Sequence, residues 1–256
     1  MYDKSGISIS DKKVALVSAR TRKRMRKLEI ENYKDYFEHL KNDKSGKELV
    51  KFLDVISTNV THFFRESEHF DFLTRIFQDS LRKGQRKFRY WSAASSSGEE
   101  PYSMAITLLE ALNGENVDIK ILGTDISTQV LAKAINGIYI EKKVDPIDNK
   151  LLKKYFLLEY KNNKKHYRVK QRLKNLTIFR RMNLSESPLP LNKKLDMIFC
   201  RNVMIYFDQI HREKLINELY RLLKPGGYLL TGHSESITGI NNNFKVVRPS
   251  IYYKKY

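Results

Sequence analysis

Lys87-Phe88-Arg89-Tyr90-Trp91-Ser92-Ala93-Ala94-Ser95-Ser96-Ser97-Gly98-Glu99-Glu100-Pro101-Tyr102 is the stretch whose reading decides the fold. Its apolar, aromatic first half predicts a strand over 88–94. A run of small residues follows, and a helix is predicted over 99–112. The same order recurs at once, with a strand over 119–123 and a helix over 127–135 that Ser127 opens as N-cap. Strand, helix, strand, helix implies a parallel sheet with crossover helices.

Beyond this unit, residues 139–174 break the alternation. They are polar and basic, with strand-like pieces at 155–160 and 166–170 around Lys161-Asn162-Asn163-Lys164-Lys165, which predicts an inserted hairpin subdomain. The alternation resumes with strands over 176–180 and 195–200, a helix over 209–223 and a strand over 228–231. Lys224-Pro225-Gly226-Gly227 reads as a helix stop and turn, and 244–247 and 251–253 as closing strands. Before the decisive stretch the pattern is helical. Over 14–28, Val14, Val17, Thr21, Met25 and Leu28 share one arc, while Arg20, Lys23, Arg24 and Lys27 cluster on another face beside Arg22 and Arg26. Further helices are predicted over 32–40 and 48–56, and around Phe70, Leu73, Phe77 and Leu81. The division expected is a helical domain over 1–80 and an α/β domain over 81–256 with its insert at about 139–174.

Composition narrows the class. The 256 residues are 41% hydrophobic, which excludes a disordered chain. No apolar run approaches the roughly 18–20 residues that cross a bilayer, and no signal pattern opens the chain, so a cytoplasmic protein without membrane insertion is expected. The single cysteine, Cys200, excludes an internal disulfide, and the six histidines never fall into paired ligand spacing, so no metal is expected. The net charge of +19 is uneven: residues 1–27 hold nine basic and two acidic side chains, and residues 151–181 hold eleven and one. Two basic surfaces favour an anionic macromolecule, and nucleic acid and an acidic protein both qualify.

In a doubly wound domain, ligands sit at the carboxyl ends of the strands, near the reversal of strand order. The small-residue run after the first strand lets a ligand approach the backbone. It is not G-x-G-x-x-G, and its two adjacent carboxylates disfavour a pyrophosphate; Glu99 suits a ligand's ammonium group instead. Asp125, at the end of the second strand, suits a ribose diol, though an Asp just before a helix also serves as a cap. Together these features point to S-adenosylmethionine.

Four strings then carry a resemblance: Asn59-Val60-Thr61-His62-Phe63-Phe64-Arg65-Glu66, Ser97-Gly98-Glu99-Glu100-Pro101-Tyr102-Ser103, Cys200-Arg201-Asn202-Val203-Met204-Ile205-Tyr206-Phe207 and Gly227-Tyr228-Leu229-Leu230-Thr231-Gly232-His233-Ser234-Glu235. In order and spacing, over nearly the whole chain, they resemble the chemotaxis receptor methyltransferases of the CheR type. The resemblance implies a Rossmann-like class I methyltransferase domain with a small inserted β subdomain, preceded by an all-α domain. It implies methyl transfer from S-adenosylmethionine to glutamates on the cytoplasmic methylation helices of chemoreceptors, leaving S-adenosylhomocysteine. It places Asn59, Thr61, Arg65, Glu99, Asp125, Asn183, Leu184, Arg201 and Asn202 at the cofactor. Arg65 becomes the clamp on the incoming carboxylate and Tyr206 a wall beside the methyl group, while Arg20, Lys23, Arg24 and Lys27 face the receptor. A monomer without nucleic acid is expected. Some members hold a receptor C-terminal tether on the insert through a glycine-rich hairpin; the turn here has no glycine, which argues against tether binding.

Blander readings stand beside these. Arg65 and Glu66 can pair on a helix cap, the basic helix can be a solvated face, Phe207 and Cys200 read as core, and His233 as support for a strand end. Two rival functions are a nucleic-acid methyltransferase and a non-catalytic adaptor. Against the first, the position after the fourth strand holds Arg201-Asn202-Val203-Met204, where amino-methylating enzymes carry Asn/Asp-Pro-Pro-Tyr/Phe.

Overall fold

The computed structural model describes residues 11–56, 60–112, 114–240 and 243–255. Three helices come first, α1 (Asp11–Lys27), α2 (Tyr33–Asn42) and α3 (Lys47–Ile56), followed by α4 (Glu68–Arg82). The alternating part runs β1 (Lys87–Ser92), α5 (Glu99–Glu110), β2 (Asp118–Asp125), α6 (Thr128–Asn136). The insert holds β3 (Ile138–Ile140), the short helices α7 (Glu141–Val144) and α8 (Asn149–Tyr155), β4 (Phe156–Lys161), β5 (Lys164–Val169) and α9 (Gln171–Lys174). Then come β6 (Thr177–Arg181), β7 (Leu195–Cys200), a 3-10 turn (Met204–Tyr206), α10 (Gln209–Leu222), β8 (Leu223–Thr231), β9 (Phe244–Arg248) and β10 (Ile251–Lys254).

Seven strands form one sheet in the order β6-β2-β1-β7-β8-β10-β9. The first five are parallel, and β10 runs antiparallel between β8 and β9. The chain steps outward from β1 to β2 to β6 and then crosses to β7 on the other side, so strand order reverses between β1 and β7. Ser92 lies level with Gly123 and Phe199, Asp125 with Arg181, and Cys200 with Thr231. The loops that leave these strands therefore share one edge of the sheet, where such folds bind ligands.

Apolar layers on both faces hold this edge in place. Phe77 stacks edge-on to Phe88 at 4.7 Å, both fully buried, and Phe70, Leu73 and Leu81 join the same core. Burying a side chain of this size contributes about 2–3 kcal/mol. Helix α4 thus belongs to the sheet domain, and the helical domain ends before it rather than at residue 80. The insert is a three-stranded sheet, β3-β5-β4, one strand more than the expected hairpin. Its turn needs only Asn162 and Asn163, both at positive φ, a conformation asparagine adopts readily. Lys224-Pro225-Gly226-Gly227 is also a correction: helix α10 passes directly into β8, and these residues bulge out between the Leu195–Leu223 and Met197–Tyr228 pairings.

The three N-terminal helices pack around Met25, Tyr36 and Phe52, with Val17 and Leu28 against them and Thr21 buried, as the apolar stripe of α1 requires. The side chain of Val14 lies outside the described residues. Arg24 departs from the expected exposed face. It is buried, and its guanidinium forks onto Glu48 (Nε–Oε1 2.8 Å, Nη2–Oε2 2.5 Å) while the Tyr36 hydroxyl donates to the same carboxylate at 3.0 Å. One residue from each helix meets here, because position 24 falls where α1 turns toward α3. Burial works against the Glu48 carboxylate, but hydrogen bonds from Arg24 and Tyr36 outweigh it and hold its pKa below the usual glutamate value.

Breaking such a pair strands a buried carboxylate, so Arg24→Ala is expected to cost about 3–5 kcal/mol in urea unfolding. Exposed Lys23→Ala should cost less than about 0.5 kcal/mol. Since the folded-state pKa of Glu48 is depressed, the pair's contribution is complete at neutral pH and is lost as pH falls through the range below 4.5. The gap between wild type and Arg24→Ala should narrow in that range.

Candidate active site

Four loops at the carboxyl edge of the sheet, together with the segment before α4, build one polar centre. The loop after β1 is anchored by Ser95, whose N–H donates to the Thr124 carbonyl at 2.7 Å, and turns through Ser96 and Gly98 at positive φ. A Cβ at Gly98 would lie 2.9 Å from the Ala134 Cβ, so only glycine lets α5 start this close to α6. The Asp125 carboxylate bridges this loop to the next one: Oδ2 accepts from the Ser96 N–H and Oδ1 from the Ser127 N–H, both at 2.9 Å. The helix cap is Ser127, whose hydroxyl accepts from Val130. Burial raises the pKa of Asp125 even against these backbone donors. Each of its oxygens keeps a lone pair with which a diol can satisfy it.

The two adjacent acids separate, as neighbours on a helix must. Glu99 is fully buried, accepts from the Ser97 hydroxyl at 2.7 Å and pairs with Lys143 Nζ at 3.0 Å; the same ammonium donates to the Thr61 carbonyl at 2.7 Å. Glu100 turns the other way, accepting from Ser92 Oγ at 2.7 Å and facing Arg201 Nη1 at 3.2 Å. Burial pushes the Glu100 carboxyl above its usual pKa despite Arg201.

Arg201, expected to line the pocket, is buried and crosslinks two segments. Its Nη2 lies 3.1 Å from Glu66 Oε2 and donates to the Arg65 carbonyl, and its guanidinium sits 5.9 and 5.8 Å from the Phe70 and Phe199 ring centroids. Glu66 therefore pairs with Arg201 rather than capping a helix with Arg65. The Arg65 side chain is half-buried and donates from Nη1 to the Val60 carbonyl at 3.0 Å. Asn202 donates its N–H to Glu235 Oε2 at 2.6 Å, and its side chain reaches toward Glu66. Tyr206 is half-buried in the 3-10 turn of the same loop. Leu184 is buried in the core beside α10, and the Asn183 Oδ1 accepts from Ser185 within its own turn. Asn59 lies outside the described residues. Among the receptor-facing set, Lys23 and Lys27 are exposed, Arg20 is partly covered and Arg24 is withdrawn.

Whether these residues fit S-adenosylmethionine is tested by what the loops leave unsatisfied. Ser95 Oγ is buried without a partner at the β1 turn, Asp125 holds acceptor capacity three residues before α6, and Gly232 admits no Cβ against Asn202 and Glu235 (2.6 and 2.7 Å). Small turns, an acceptor for a diol and a buried carboxylate already matched to an ammonium are the groups this cofactor calls for. A family model described as the CheR methyltransferase SAM-binding domain matches residues 59–253, and one described as the CheR all-alpha domain matches residues 1–57. The chain belongs to the CheR methyltransferase family.

Relatives at moderate identity agree over nearly the full length. The chain is 40% identical to a chemotaxis protein methyltransferase of Borreliella burgdorferi, over 99% of this chain and 91% of the relative. It is 38% identical to chemotaxis protein methyltransferase 2 of Pseudomonas aeruginosa (98% and 89%) and 35% identical to the Escherichia coli chemotaxis protein methyltransferase (98% and 87%). The chain is an S-adenosylmethionine-dependent methyltransferase, and the nucleic-acid alternative finds no support. Among the described residues, no helix is long and apolar enough to cross a membrane.

Four side chains at this CheR-family site escaped the sequence reading: Glu66, Glu100, Lys143 and Glu235. The first two and Glu235 stand inside the recognised strings, so their presence was visible and their partners were not. Lys143 comes from the insert and carried no signal. Glu235 accepts from three backbone N–H groups, those of Asn202, Gly232 (2.8 Å) and Ile205 (3.3 Å), and so sets the path of the loop that carries Tyr206. Glu235→Gln keeps the shape but turns an amide toward one of those donors, which should cost about 1–3 kcal/mol of stability in urea unfolding. Affinity for S-adenosylhomocysteine, measured by calorimetry, should fall with it.

Proposed function

We propose that this enzyme methylates glutamate side chains on the cytoplasmic helices of chemoreceptors, forming γ-glutamyl methyl esters for sensory adaptation. The observation that carries this reading is one arginine, Arg65, at the carboxyl edge of the sheet. Arg65 is half-exposed at the strand edge, and its backbone is fixed from behind by buried Arg201. The names of the relatives supply the chemotactic context.

S-adenosylmethionine brings a methyl group already activated on a sulfonium. A glutamate carboxylate, with an ordinary pKa near 4.3, is ionised at neutral pH, so the chain needs no general base. Its task is to orient the acceptor and exclude water. Arg65 holds one carboxylate oxygen and leaves the other to attack, because an arginine bound too tightly to the nucleophile would blunt it. Tyr206 walls the methyl path. Asp125 accepts from the ribose hydroxyls and Glu99 meets the amino group, exchanging its contact with Lys143 for the ligand's ammonium. Thr61, Asn183, Leu184 and Asn202 complete the cofactor's surroundings, with Asn59 assigned there by resemblance alone.

The receptor is read as an acidic helical surface in the cytoplasm, met by Arg22, Lys23, Arg26 and Lys27 along the exposed side of α1, with Arg20 at its edge. Two asparagines make the whole β4–β5 turn, leaving no glycine-rich loop, which favours recognition of the methylation region over a C-terminal tether. The enzyme acts as a monomer in this reading.

Incubating the full chain with methyl-labelled S-adenosylmethionine and receptor cytoplasmic fragments should place base-labile label on the receptor. Base-stable label, or label on added RNA, would sink the proposal. Arg65→Ala should lower kcat/KM for the receptor fragment by about 100-fold, the loss expected for a charge-assisted contact in the transition state. If kcat and kcat/KM both stay near wild type, Arg65 is not the clamp.

A further inference from the structure

Behind the strand ends, side chains from two distant parts of the chain turn polar atoms toward one point. His69 Nδ1 lies 3.5 Å from Glu66 Oε2, and His233 Nε2 lies 3.8 Å from the same oxygen. All three atoms are within 4.8 Å of one another. His69 is fully buried and its Nδ1 has no hydrogen-bond partner, while Glu66 Oε2 meets Arg201 Nη2 at 3.1 Å. Its other nitrogen, Nε2, sits 2.9 Å from Ser250 Oγ, which fixes the ring and leaves Nδ1 aimed into the cluster. A second-sphere hydrogen bond of this kind orients a histidine that ligates through its free nitrogen.

Two features ask for a cation at that point. In the tautomer that donates from Nε2 to Ser250, the Nδ1 lone pair faces Glu66 Oε2 at 3.5 Å, an unfavourable pairing in a buried site that the one Arg201 contact on that oxygen only partly offsets. The local charge points the same way. Glu66 and Glu100 share the single buried guanidinium of Arg201, and Glu68 reaches the His233 ring from the same side. A dication would balance the excess of carboxylates.

Geometry then selects the ion. Ligand bonds of about 2.0–2.1 Å in a tetrahedral site hold donor atoms about 3.3 Å apart. The two observed edges at the carboxylate oxygen are close to that and need only small side-chain movements. Two imidazoles with a carboxylate suit zinc and its first-row neighbours rather than magnesium or calcium. We propose that Glu66, His69 and His233 bind one Zn²⁺ ion, with Glu68 in reach as the fourth ligand. The ion staples the segment that carries Arg65 to the 232–235 loop, whose Glu235 sets the path of the Tyr206 loop. The proposal stands whichever acceptor the enzyme methylates.

The test uses Zn²⁺ itself on the full-length chain after dialysis against a chelator. Calorimetry, checked by competition with a chromogenic chelator, should give one equivalent bound at micromolar Kd or tighter, with a raised Tm in thermal melts. His233 is half-exposed, so His233→Ala should fold; it should weaken binding at least about tenfold and abolish the Tm rise. Glu66→Gln should do the same. No stoichiometric binding, or binding undiminished in both variants because other histidines hold the ion, overturns the proposal.

Discussion

A guanidinium buried among aromatic rings has to be matched by carboxylates, and the active-site edge of this enzyme is organised by that requirement. Arg201 leaves β7 at the point where strand order reverses and meets Glu66 from the segment before α4 and Glu100 from the first turn of α5. Removing any one partner would leave a buried charge uncompensated, which costs several kcal/mol in such surroundings. Three loops far apart in sequence are thereby held to one another. The same constraint explains why backbone strain gathers here. Phe64, Glu66, Ser96 and Asn202 all adopt positive φ, each at a modest energetic cost that the surrounding contacts must outweigh. In return, the Arg65 carbonyl is presented to Arg201, the Ser96 N–H to Asp125, and the Asn202 N–H to Glu235.

The aromatic packing gives this polar centre a rigid floor. Phe63 is fully buried and meets Tyr139 of the insert at 5.0 Å and Phe156 at 5.6 Å, both edge-on. Phe64 packs on Phe70 of α4 at 5.4 Å. Consecutive residues thus tie one short segment to the insert and to the sheet domain, and Arg65 follows immediately. The insert contributes Lys143 to the same end by way of Glu99 and the Thr61 carbonyl. It is therefore part of the wall of the site.

Much of this architecture was legible in the residues. The alternation from Lys87 onward fixed the parallel sheet and its ligand-binding edge, and the insert announced itself by losing that alternation. Strings around Arg65, Glu99, Arg201 and Glu235 carried the family. What stayed hidden was pairing. Arg24 shares a helical face with Lys23 and Lys27 by angle alone, and only the position of α3 decides that it turns inward to Glu48. Histidine spacing along the chain gave no sign that His69 and His233 meet, because the sheet rather than a helix turn brings them together. Lys224-Pro225-Gly226-Gly227 has every local mark of a turn, yet the register of β8 against β7 absorbs it as a bulge.

The helical domain does more than carry a basic face, as its contacts near the cofactor edge make plain. Ile126 packs against the Met25, Tyr36 and Phe52 core, and Thr128 at the start of α6 donates to Asp54 of α3 at 3.0 Å. Both lie within three residues of Asp125, whose carboxyl is raised in pKa mainly by burial, with Asp54 adding to the effect. Taking the helical domain away would remove the Ile126 packing and the Thr128–Asp54 hydrogen bond from this turn. The core of the helical domain is thus continuous, through Ile126, with the turn that carries Asp125.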